Sequence, residues 1–102
     1  MRLVRKKEIS RLKDGECIVI KKISLPEFLL HAKREVSELF AEAVTSKDHE
    51  KFADILEVLN STCDLLQMDW YECSKIKSTK RWEEGKYDCY VAKKVGLGDR
   101  EA

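Results

Sequence analysis

The sequence predicts a mainly helical protein, an antiparallel helical bundle with two short flanking strands, and three observations predict it. The stretch 50–67, EKFADILEVLNSTCDLLQ, carries Phe52, Ile55, Leu56, Leu59, Cys63 and Leu66 at steps of three and four, with no Gly or Pro. That is the period of an amphipathic helix lying on a core. The stretch 26–44 repeats the pattern with Leu29, Ala32, Val36, Leu39, Phe40 and Ala43. Only Thr45, Ser46, Lys47 and Asp48 separate the two, and so short a joint makes consecutive helices antiparallel neighbours.

The opening segment sets Arg2, Arg5, Lys6 and Lys7 around Leu3, Val4 and Ile9, which reads as a short helix or an extended basic arm. It has no interleaved aromatic residues, so it does not signal nucleic-acid binding. Asp14-Gly15 marks a turn, and the β-branched residues that follow it predict a short strand near 17–23. Ser24, Pro26 and Glu27 have the grammar of a helix start: a capping hydroxyl, a proline in the first turn and an acid at the positive end of the dipole. Ser46 or Asp48 caps the second long helix. Asp69 can cap a third, from Trp70 to about Glu84, which Gly85 ends. YDCYVAKKV then predicts a second strand near 87–95. Residues 1–95 are expected to form one helical domain, with 96–102 a tail.

A chain of 102 residues is one domain, small enough that an oligomer interface helps to complete its core. Charged residues make up 38%, but Lys plus Arg (20) nearly balances Asp plus Glu (19), so any electrostatic function is local. No apolar run approaches the ~20 residues that span a bilayer, and the first ten residues lack a secretory h-region, so no membrane partner and a cytoplasmic location are expected. Cys17, Cys63, Cys73 and Cys89 lack zinc-site spacing, and free thiols are expected. Val58, Leu65 and Trp82 fall outside the main apolar stripes, which points to self-association, most simply a homodimer.

The polar faces carry the chemistry. Asp54, Glu57, Ser61 and Asp64 follow one another along one stripe of the central helix, and Glu35, Glu38 and Glu42 along one stripe of the helix before it. Like charges at that spacing repel by a few tenths of a kcal/mol per pair, so water, a basic partner or a cation must offset them. Two acid-striped helices side by side would make a divalent-metal site. The third helix is basic, with Lys75, Lys77, Lys80 and Arg81 within two turns, either a solvated helix face or groups that a phosphate-bearing ligand would use.

The order LVRKK, KREVSEL, KFADILEVLN and then EEGKY resembles the small MazG-like proteins of the all-α nucleotide pyrophosphohydrolase superfamily, over Leu3 to about Val95. Members carry Glu-x-x-Glu on one helix and Glu-x-x-Asp on the next, four carboxylates that hold magnesium for attack of water on a nucleoside triphosphate. Glu35-Val36-Ser37-Glu38 matches the first motif and Asp54 the end of the second. The resemblance thus implies Mg²⁺ as cofactor, Glu35, Glu38 and Asp54 among its ligands, and Glu38 as the catalytic carboxylate. Lys51, and Lys77, Lys80 and Arg81 of the basic helix face, are the candidate contacts for such a nucleotide.

Three positions depart from the family pattern. Lys51 stands where the second motif begins with Glu, Lys6 where an Asp is usual, and Glu84 where an Arg is common. Glu57 or Glu50 can replace the lost ligand, Glu57 the better placed because it follows Asp54 by one turn on the same face. Lys51, one turn before Asp54, either acts as an internal counter-ion among the carboxylates or points to solvent and leaves a weakened three-carboxylate site. Two functions follow: a pyrophosphohydrolase with a degenerate metal site, or a catalytically silent relative that binds a nucleotide or a protein partner.

Overall fold

Side chains at the helix ends explain where the chain turns in the computed structural model, which describes residues 2–12 and 19–96. Its helices are α1 (Lys6–Leu12), α2 (Leu25–Ser46), α3 (His49–Leu65) and α4 (Trp70–Glu84). Glu8, in the first turn of α1, accepts a hydrogen bond from the Arg5 N–H at 3.1 Å, one half of a capping box. Ser24 caps α2: its Oγ accepts from the Glu27 N–H at 3.3 Å, and Pro26 follows in the first turn. Substituting Ala for such a cap typically costs about 1 kcal/mol.

The joint between α2 and α3 is two residues long. Lys47 adopts the left-handed conformation (φ 52°, ψ 47°) and donates its N–H to the Ala43 carbonyl, and Asp48 caps α3 by accepting from the Glu50 N–H at 2.9 Å. At the far end Gln67 is also left-handed (φ 58°), with Met68 N–H bonded to the Cys63 carbonyl at 2.8 Å and Gln67 N–H to that of Asp64 at 3.1 Å, a Schellman closure. Gly85 (φ 88°) ends α4, where a side chain would be strained.

Tight joint and matched stripes make α2 and α3 an antiparallel pair. Ala32, Ala43 and Ile55 are buried where the two meet. Small residues let the backbones approach, and burying Ile55 contributes roughly 1.5–3 kcal/mol. Phe40 and Phe52 meet edge to face across the pair, ring centroids 6.5 Å apart, which fixes the register. The pair belongs to one compact unit, Met1–Trp70, and Tyr71–Ala102 forms a second. In the second unit α4 has no buried residue, and Lys75 Nζ lies 5.9 Å from the centroid of the Tyr71 ring.

The mainly helical class is as expected, but the two flanking strands are not present among the described residues. Residues 19–24 and 85–96 form no ladder, and the turn hydrogen bonds in the later segment are local, Tyr90 N–H to the Asp88 carbonyl at 2.8 Å and Cys89 N–H to Asp88 Oδ1 at 2.8 Å. β-branched composition favours a strand only where a second edge supplies hydrogen bonds, and a lone two-stranded ribbon is marginal in water. Cys17, Ile18, the turn read at Asp14-Gly15 and residues 97–102 lie outside the described residues.

Ala43 is fully inaccessible, so Ala43→Leu is expected to lower stability by about 1–3 kcal/mol through overpacking, read as an earlier urea midpoint. An unchanged midpoint would show that α2 and α3 do not close on one another at that level.

Candidate functional site: a charged cleft on the helical hairpin

The antiparallel register gives the hairpin two unlike sides. On one side the arm 2–5 and α1 stand over α2 and α3, enclosing an open cleft of about 1040 Å³. Phe28, Glu35 and Leu39 line it from α2, and Asp54, Glu57, Val58, Ser61, Asp64 and Leu65 from α3. The arm and α1 contribute Arg2, Arg5, Lys6, Lys7 and Arg11 among others. Helical spacing explains the acidic floor: Asp54, Glu57, Ser61 and Asp64 stack along the edge of α3 beside its buried stripe.

The arm is tied down by ion pairs. Arg5 Nη2 donates to Asp54 Oδ1 at 2.7 Å, a contact between residues 49 apart in sequence. Both side chains are about half exposed, so the pair contributes at most about 1 kcal/mol to stability. Its weight lies in occupancy: one oxygen of Asp54 is already bound to a cation. Arg2 grips Glu8 with both guanidinium nitrogens, at 2.9 and 3.3 Å. This hydrogen bond first, then the Arg5 N–H, holds the Glu8 carboxyl below its ordinary value. Glu57 Oε2 accepts from Ser61 Oγ at 2.7 Å within the cleft.

Of the residues expected to hold a metal, Glu35, Asp54 and Glu57 line this cleft, whereas Glu38 is exposed and does not. Glu38 falls further round α2 than Glu35, away from α3. Among the described residues no three Asp, Glu, His or Cys side chains gather in a group able to hold a metal ion. As they stand in one chain, these carboxylates do not fit Mg²⁺.

Lys51 makes its ion pair with Glu42 and not with Asp54. Its Nζ donates to Glu42 Oε2 at 2.7 Å, and that hydrogen bond first, with smaller contributions from the charges of Asp48 and Asp54, raises its pKa. The register that sets Phe40 against Phe52 also sets Glu42 against Lys51, so the ammonium is spent across the joint. Arg5, which periodicity does not single out, takes the position beside Asp54 instead. Lys77, Lys80 and Arg81 stand exposed on α4, in the second unit. Cys63, Cys73 and Cys89 are free thiols. No described helix is long and apolar enough to cross a membrane.

Neither family models, curated proteins nor solved structures give a match to this chain.

Because the folded-state pKa of Glu8 is depressed, its contribution to anchoring the arm is present above the unfolded value and is lost as pH falls through the folded one. Carboxyl NMR should find Glu8 titrating below a model glutamate, and Arg2→Ala should move it back up. A Glu8 that titrates as a free side chain in the parent would contradict the arm's placement.

Proposed function

We propose that this chain is a MazG-like nucleoside triphosphate pyrophosphohydrolase with a degenerate metal site, which receives the phosphates of a nucleotide in the cleft between the arm and the hairpin. The observation that carries this reading is the meeting of Glu35, Asp54 and Glu57 with Arg2, Arg5, Lys6, Lys7 and Arg11 around one opening. Arginine and lysine side chains suit phosphate oxygens, and a triphosphate needs several cations to offset its charge. The antiparallel pair of acid-striped helices is the scaffold that the sequence resemblance implies. Among the described residues the carboxylates of a single chain do not assemble into a metal-holding group.

A second reading is favoured by the Arg5–Asp54 pair: a catalytically silent relative that uses the same cleft to bind a nucleotide or a protein partner. An arginine on the aspartate that would otherwise meet the metal supplies phosphate-directed charge without a metal. In both readings the chain is a homodimer.

A nucleotide panel offered with Mg²⁺ or Mn²⁺ separates them, with pyrophosphate release and calorimetric binding measured on the same samples. Release of pyrophosphate supports the hydrolase. Binding that is weakened roughly ten-fold by Lys6→Ala or Lys7→Ala, without turnover, supports the silent binder. Absence of both binding and turnover across the panel removes the nucleotide from the cleft.

A further inference from the structure

The second unit, Tyr71–Ala102, carries a surface that the cleft does not use. Between 71 and 96 stand seven Lys and Arg against four Asp and Glu, whereas the chain as a whole is nearly balanced. Four aromatic residues are set among these cations, Tyr71 and Trp82 on α4 and Tyr87 and Tyr90 after it. All four are exposed, Trp82 by 89% and Tyr90 by 88%. The basic arm at the start of the chain has no such interleaving.

Tyr71, Lys75, Ser78 and Trp82 recur at steps of four, three and four, which places them along one face of α4. Lys75 Nζ, 5.9 Å from the centroid of the Tyr71 ring, follows that face. The backbones of Tyr71 and Trp82 are about 16 Å apart along the helix axis, too far for the rings to cover one another. Lys77 and Arg81 flank the face on one side, and Glu72 and Glu83 on the other. Beyond Gly85 the chain is not helical, and Lys86, Lys93 and Lys94 bracket Tyr87 and Tyr90.

We propose that this surface binds single-stranded nucleic acid, with bases stacked on Trp82 and the tyrosines while Lys77, Arg81 and the lysines after Gly85 meet the phosphates. The inference goes beyond the reading of the cleft and is independent of it. Charge, ring exposure and pattern select this occupant. The excess of cations calls for a polyanion, and a second copy of the chain would bring the same excess and be repelled. Flat rings left in water gain from a flat partner, and an unpaired base offers its face whatever its sequence, which a duplex does not. Lys75 and Ser78 stand between the two rings of α4, so the helix has no continuous apolar stripe to lay on a bilayer.

Fluorescence anisotropy of a labelled oligo(U) of about 12 nucleotides, titrated with the full chain, tests this. Binding should appear in the micromolar range at low salt and weaken at least about ten-fold when salt is raised roughly four-fold. Oligo(dT) should bind within a few-fold of oligo(U), and a duplex of the same length roughly ten-fold more weakly. Trp82→Ala should weaken oligo(U) binding roughly ten-fold with helical circular dichroism kept, whereas Trp82→Phe, which still offers a ring, should stay within about three-fold. Should Trp82→Ala lose helix, Tyr90→Ala, outside any helix, decides, with a several-fold loss expected. No binding at low salt, binding that ignores these truncations, or a duplex bound as tightly as the single strand overturns the proposal. Sedimentation of Trp82→Ala should match the parent. A lower mass would show that the rings pack on a second copy and would overturn it as well.

Discussion

Everything else in the hairpin depends on the close approach of α2 and α3. Alanine at 32 and 43 leaves room for the opposite backbone, Ile55 fills it, and the left-handed Lys47 with the Asp48 cap returns the chain within two residues. This register decides which polar residues face one another. It also divides the pair into a side lined by carboxylates and a side lined by leucine, phenylalanine and valine. Neither side could exist in a lone helix, because both take their character from residues contributed by α2 and α3 together.

The acidic side is answered by cations of the chain itself. Near the joint, Glu42 meets Lys51. Further along, Asp54 meets Arg5, brought in by an arm that Glu8 holds through Arg2 and the Arg5 backbone. Each exposed pair is weak, yet together they lower the repulsion that a bare acidic stripe would carry. Under the proposed function the same cations would meet the phosphates, and exchange of the internal arginine for an external ligand would link the arm's position to what the cleft binds.

Much of this was legible from residue order. Period, caps and joint length gave α2, α3 and α4 to within a residue or two, with Ser24, Asp48 and Gly85 doing what their chemistry predicts. The acidic stripe on α3 was legible for the same reason: neighbours at three and four are set by helical geometry. Among the described residues the strands expected near 17–23 and 87–95 do not form, because β-branched residues report a preference and not the presence of a partner edge. The partner of Asp54 was not legible. Lys51 is near it in sequence, but the cross-hairpin register sends Lys51 to Glu42. Arg5 arrives from 49 residues away, a contact that no local pattern encodes.

The central claim is that Arg5, and not Lys51, is the cation on which the acidic cleft depends. Calorimetry with Mn²⁺ as a probe cation, on the full chain and on Arg5→Ala and Lys51→Ala, tests it most directly. The account predicts that Arg5→Ala binds Mn²⁺ several-fold more tightly than the parent, since it frees Asp54, while Lys51→Ala stays within about two-fold because it frees only Glu42 beside the joint. Tighter binding by Lys51→Ala with Arg5→Ala unchanged would contradict it.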